Sequence, residues 1–188
     1  MDPIPIIELI SKIHSMDRVP RAGFLLRGVT EPESVAAHSH SLALLCSLVC
    51  RALPGRFDEA RVLTMALIHD LPEVETMDIP MPAGTEEFKR AKGATESKVM
   101  NSLSADVDRS VGEDYREYSS GSTDEAKLVK GLDKVQMLIK VLGYEREGRG
   151  DLEDFWINPA NFATYGLEPI EHLFEAIFER AGRTPPTH

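Results

Sequence analysis

The apolar run Val62-Leu63-Thr64-Met65-Ala66-Leu67-Ile68 ends in an imidazole and a carboxylate, His69 and Asp70. A fold that buries this run carries both polar groups inward, which is costly unless they bind something. The constraint reaches far along the chain. His38 stands upstream in the apolar stripe Val35, His38, Leu42, Leu45, Cys46 and Val49, and Asp133 lies downstream between Val129 and Met137. Both stripes have helical spacing. Two histidines and two aspartates converging from three helices point to a site for a borderline divalent cation, with nitrogen and oxygen ligands. Neighbouring residues on a helix point about 100° apart, so His69 and Asp70 reach one ion only at a helix end. Pro72 supplies that end by disfavouring helical geometry at Leu71.

Nearly every other periodic segment also reads as helix, and alternating β-branched stretches bounded by turn residues are absent. At 188 residues the chain suits one domain with a real core. The expectation is therefore an all-α, single-domain bundle of about six or seven helices over residues 1–181, with a disordered Pro-containing tail over 182–188. The first helix is predicted over Ile6–Asp17, with Ile6, Leu9, Ile10 and Ile13 facing the core. The second opens at Thr30-Glu31-Pro32-Glu33, which has the form of a capping box, and runs to Leu53. Others follow over Asp58–Asp70, Glu86–Leu103, Asp106–Glu117, from a second capping box at Ser122-Thr123-Asp124-Glu125 to Tyr144, and over Pro169–Ala181. Arg18–Phe24 and Asp78–Gly84 read as irregular links, and Ser119-Ser120-Gly121 as a turn.

Charge narrows the function. A formal net charge of −10 argues against a nucleic-acid polymer as partner, because phosphate backbones demand clustered Lys and Arg. A small phosphorylated substrate fits if a metal and a few arginines reverse the field locally. The start, Met1-Asp2-Pro3-Ile4-Pro5, lacks the cationic region and long apolar core of a signal peptide. No apolar run approaches the roughly 20 residues that span a bilayer, so no membrane is expected as partner. Cys46 and Cys50, at i and i+4 on an apolar face, read as small core hydrophobes. The expected compartment is the cytoplasm.

His38…His69-Asp70…Asp133 has the order and spacing of the HD-domain metal-dependent phosphohydrolases. The local context is narrower. Arg18-Val19-Pro20-Arg21-Ala22-Gly23-Phe24, Pro32-Glu33-Ser34-Val35-Ala36-Ala37-His38, His69-Asp70-Leu71-Pro72-Glu73, Asp78-Ile79-Pro80 and Leu132-Asp133-Lys134-Val135 resemble the HD-domain 5′-deoxynucleotidases over about residues 5–147. The resemblance implies one divalent cation per subunit (Mn, Co, Fe, Zn or Mg) held by His38, His69, Asp70 and Asp133. It would act as a Lewis acid and acidify a water for attack on a phosphomonoester. Glu73 matches the acidic residue that handles this water, Asp78 the carboxylate set against the substrate sugar, and Arg18 the phosphate-binding arginine. Arg21 and Arg27 are possible assistants, and Val19 stands where ribose and deoxyribose are told apart. A deoxyribonucleoside 5′-monophosphate substrate and a homodimer are implied as well.

Three positions depart from the family pattern. Met77 replaces a Gly before Asp78, which predicts backbone strain if that position has positive φ. Ala37 and Gln136 stand where acidic residues are frequent. With no His between Asp70 and His172, a second metal lacks ligands, and His14, His40, His172 and His188 read as non-ligands. Two other functions stay open at this point: hydrolysis of another nucleotide ester or anhydride, such as a triphosphate or an alarmone, and a non-catalytic nucleotide- or metal-sensing module.

Overall fold

The computed structural model describes residues 2–80 and 85–184. Residues 81–84 of the expected link, and residues 185–188 of the expected tail with His188, lie outside the described residues. Among the described residues the chain is helical, with a single antiparallel bridge between Pro20 and Ser34 as its only β pairing. The helices are α1 (Ile4–Ile13), α2 (Ala22–Leu25), α3 (Val35–Ala52), α4 (Glu59–Ile68), α5 (Glu73–Thr76), α6 (Glu86–Ser104), α7 (Arg109–Ser120), α8 (Asp124–Arg146), α9 (Glu153–Ile157) and α10 (Glu168–Ala181), with 3-10 turns at His14–Asp17 and Pro159–Phe162. The seven long helices are those the periodicity predicts. The other three, α2, α5 and α9, are one-turn pieces too short to carry a period.

Helix α8 is the axis of the bundle, packed by α3, α4, α7 and α10. It buries residues on every side, from Ala126 to Tyr144, and its buried polar groups, Asp133 and Gln136, are turned into the site described below. Gly131 sets how near α10 can come: a Cβ there would lie 2.8 Å from Ile170 Cγ1. A second, smaller core joins Met16, Val19, Val35 and Leu71 to Val99, Met100, Leu103 and Tyr115 of α6 and α7. Helix α3 is long and apolar enough by composition to cross a membrane. Here it is a core helix, burying Val35, His38, Leu42, Cys46 and Cys50.

Three expectations need correction. The second helix opens at Ser34, whose hydroxyl accepts from the Ala37 N–H, rather than at a Thr30–Glu33 box. Glu33 is buried and committed to Gln136 and Lys140, so it cannot fold back on Thr30. At α8 the cap is Thr123, accepting from the Ala126 N–H, while Glu125 accepts from the Asp58 N–H across the bundle. On α1 only Leu9 and Ile13 pack against the core; Ile6 and Ile10 are exposed, together with Ile4 and Ile7. The small second core has room for one edge of that helix.

The C-terminal stretch is tied down more firmly than its mixed pattern suggests. Gly150 has φ +76°, and a Cβ there would come within 2.7 Å of the Arg27 carbonyl oxygen. The next residue donates its N–H to that same oxygen at 2.8 Å, which docks the chain after α8 onto the end of α2. Gly182 ends α10 in the left-handed conformation, and Arg183 pairs with Glu145 and Glu153 beside the Trp156 ring. Residues 182 and 183 thus belong to the packed domain.

Candidate metal centre and active-site cavity

Two imidazoles meet at the junction of α3, α4 and α8. His38 projects from α3 with no exposure to solvent, and its Nδ1 lies 2.7 Å from Gln136 Oε1. The Gln136 amide nitrogen donates to the Glu33 carboxylate, which can only accept; this fixes Oε1 toward His38 and puts the hydrogen on Nδ1. His69, at the C-terminal end of α4, donates Nδ1–H to the Ala66 carbonyl at 2.8 Å. Both Nε2 atoms therefore face the same point, 3.2 Å apart. Two buried ring nitrogens so placed repel unless a proton or a metal cation lies between them; against the burial that would lower it, Asp70 raises the His69 pKa.

Carboxylates complete the cluster. Asp133 Oδ1 lies 3.1 Å from His38 Nε2, and Asp70 Oδ2 lies 3.1 Å from His69 Nε2 and 3.7 Å from His38 Nε2. His38, His69 and Asp133 bring ligand atoms within 4.8 Å of one another. Asp70 approaches both imidazoles, but its carboxylate is shared with Arg21 Nη1 at 3.0 Å. Burial opposes the charge on both aspartates; it is outweighed at Asp70 by His69 and Arg21, and at Asp133 by Lys134 and His38, and both pKa values end below the ordinary range. The donor set fits a divalent ion of nitrogen and oxygen preference.

Glu73 supports the same fit. Pro72 breaks the helix after α4, and the chain restarts as α5 with Glu73 at its first position, buried to 3% exposure. Its Oε2 has no hydrogen-bond partner, and Oε1 lies 3.6 Å from Lys92 Nζ. Burial, then Asp70 and Asp78, push its pKa up to about 9. A buried carboxyl oxygen without a partner, beside a cluster that could hold a metal ion, leaves a place for a hydrogen-bonded water.

His69, Asp70, Glu73, Asp78 and Asp133 line one cavity of about 870 Å³. In this acidic chain, Arg21, Arg27, Lys89, Lys92, Lys130 and Lys134 line it too, so that with Glu96 and Asp154 six cations stand against six carboxylates and the chain's negative excess is offset locally. Lys134 Nζ lies 3.0 Å from Asp133 Oδ2, and Lys92 bridges Glu73 and Glu96. Burial and neighbouring Lys134 lower the Lys130 pKa, and its ammonium sits 4.6 Å from the Tyr118 ring centre.

The remaining expected residues divide. Asp78 reaches the cavity, with Oδ2 accepting from the Ala22 N–H at 2.7 Å, which also steadies the start of α2 beside Arg21. Arg18 does not: its side chain is 76% exposed and pairs with Asp17. Val19 is buried in the second core, and its carbonyl accepts from the Val35 N–H. The 3-10 turn at His14–Asp17 and the Pro20–Ser34 bridge point Val19 inward and Arg18 outward, so Arg21 is the arginine delivered to the site. Lys92 and Lys134 were not singled out from sequence, although Lys134 stands directly beside a ligand. Gln136 relays a carboxylate, Glu33, to His38 through its amide; Ala37 is exposed and faces away from the cluster. His14, His40 and His172 are exposed and lie apart from it.

Met77 has φ 62° and ψ 166°, a region that is nearly glycine-only. The loop keeps the glycine-like path and bears the strain. Met77→Gly should therefore stabilise the protein: about 1–3 kcal/mol of strain is released, partly offset by the greater freedom of Gly when unfolded. A rise of about 2–4 °C in Tm is expected for a chain of this size, and a lower Tm would contradict it.

Comparison with known proteins agrees with this geometry. The HD domain family model matches residues 13–164. The 5′-deoxynucleotidase HDDC2 of Mus musculus is 31% identical over 160 residues, 82% of this chain and 78% of that protein. The 5′-deoxynucleotidase hdd1 of Schizosaccharomyces pombe is 30% identical over 162 residues, 81% of this chain and 78% of that protein. A conserved hypothetical protein from Pyrococcus furiosus superposes with a TM-score of 0.77 at 34% identity, covering 94% of this chain and 99% of that one. With His38, His69, Asp70 and Asp133 gathered at the helix junction and the match running through all of them, the chain belongs to the HD-domain family.

Proposed function

We propose that the protein is a metal-dependent phosphomonoesterase that converts deoxyribonucleoside 5′-monophosphates to deoxyribonucleoside and phosphate. One observation carries the reading: a buried His38–His69–Asp133 cluster, with Asp70 against it, opens into a cavity that also presents an unpartnered Glu73 oxygen and several cations. The names of the Mus musculus and Schizosaccharomyces pombe relatives point the same way. His38, His69, Asp70 and Asp133 would hold one divalent ion (Mn, Co, Fe, Zn or Mg), which supplies Lewis acidity at the phosphoryl oxygens. Glu73, whose carboxyl a cation bound beside it would bring back to the ionised form, takes the proton of the attacking water. Arg21, Lys92 and Lys134 balance charge on the phosphoryl oxygens as the bond to the 5′-oxygen breaks, and that oxygen leaves as a hydroxyl with a proton from the surrounding water. Asp78, with one oxygen held by the Ala22 N–H, presents the other toward the sugar.

The test is phosphate release by purified protein loaded in turn with each divalent ion, across deoxyribo- and ribonucleoside monophosphates and triphosphates. Turnover is expected with the deoxyribonucleoside monophosphates. Preference for triphosphates, or none for any nucleotide, overturns the reading in favour of an anhydride hydrolase or a sensing module.

A further inference from the structure

The cavity extends beyond the charged cluster. Arg21, at the start of α2, lies against Asp70, and Leu26 and Arg27 follow at the helix's other end. At 1.5 Å per residue the separation is about 8 Å, comparable to the interval a deoxyribose sets between its phosphate and its base. At that end of the cavity apolar side chains stand among the charged ones. Phe24 stacks on Phe155 of α9, with centroids 5.0 Å apart and planes at 24°. Leu26 and Ile157 line the same cavity, yet they are 58% and 62% exposed. Exposed aliphatic side chains are ordinary on a convex surface, but two in a concave wall beside an aromatic pair form a surface for a flat apolar ligand. A polar edge adjoins it: Arg27 Nη2 pairs with Asp154 Oδ2 at 2.6 Å, while Arg27 Nε is buried without a partner. The Asp151 N–H, donated to the Arg27 carbonyl at 2.8 Å, ties the chain leading into α9 to the end of α2.

We infer that α2 and α9 form a subsite for the heterocyclic base, with Leu26, Phe155 and Ile157 as its apolar wall and the Arg27–Asp154 pair as its polar edge. The inference rests on the reading of the substrate as a nucleoside monophosphate. It assigns a binding role to a segment, Asp154–Ile157, outside the motifs that carry the family chemistry.

Ile157→Asp and Leu26→Asp, both at exposed positions, test it with two substrates: a deoxyribonucleoside 5′-monophosphate, and 2-deoxyribose 5-phosphate, which has the sugar and phosphate but no base. The variants should raise KM for the nucleotide by about tenfold or more, the scale of a lost apolar contact. Their kcat/KM for the sugar phosphate should stay within about twofold of the unmodified chain. Equal losses on both substrates, or no loss on either, overturn the subsite. If the unmodified enzyme hydrolyses neither, the proposed activity fails, and the subsite is read separately by calorimetric titration with a deoxyribonucleoside. Binding that weakens about tenfold in the variants upholds it; no binding, or equal binding by all three proteins, overturns it.

Discussion

Asp133→Ala yields a folded protein that neither retains a divalent ion nor releases phosphate. Asp133 Oδ1 lies 3.1 Å from His38 Nε2, and its neighbours on α8 are fixed by the core, so removing the carboxylate takes out one corner of the cluster without moving the others. His38 keeps Gln136 at Nδ1, and His69 keeps the Ala66 carbonyl, so both rings hold their orientation. Lewis-acid stabilisation is worth several kcal/mol, and losing it lowers turnover by at least about 10³-fold. His69→Ala should match it. Elemental analysis of the purified variants and phosphate release over the same preparations give the check, with circular dichroism to establish that the helices are intact. Turnover near the unmodified rate in a variant shown to be metal-free would rule out the mechanism.

The cluster of His38, His69 and Asp133, with Asp70 against it, could be anticipated from the sequence because each of these polar residues stands in an apolar stripe or directly after one, where burial without a partner is costly. Their setting could not. Glu33 and Gln136 are far apart in the chain, and each alone looks like an ordinary polar residue; only the packing of α3 on α8 turns them into a relay behind His38. Arg18 matched a family motif, but local geometry decides which way an arginine points. One turn of 3-10 helix and one β-bridge send Arg18 to solvent and leave Arg21 to pair with Asp70. Lys92 sits on α6, distant in sequence from every motif, and enters the site only because α5 and α6 pack together. The Met77 departure was legible as a steric conflict, and the backbone retains the positive φ that the conflict required. The one-turn helices α2 and α9, which line the outer part of the cavity, carry no periodic signal at all.

Glu73→Gln should separate activity from stability. In the metal-free protein, burial with Asp70 and Asp78 nearby raises the Glu73 pKa to about 9, above its ordinary value of 4.5. Between those values the folded protein binds a proton that the unfolded chain has lost. Linkage then makes Glu73's contribution complete below about pH 4.5 and progressively lost as pH rises towards about 9. Glutamine mimics the neutral acid and carries no titration, so the metal-free variant should be more stable than the unmodified protein at pH 8 and show a flatter decline across that window. Activity runs the other way. Glutamine cannot take a proton from water, and loss of a general base lowers kcat by about 10²–10⁴-fold while the four ligands still hold the ion. Thermal unfolding of the metal-free proteins from pH 5 to 9, set beside kcat and metal content of the loaded ones, reads both effects. A variant with unchanged kcat would remove Glu73 from the reaction, and one less stable than the parent at pH 8 would show that its carboxyl is ionised in the fold.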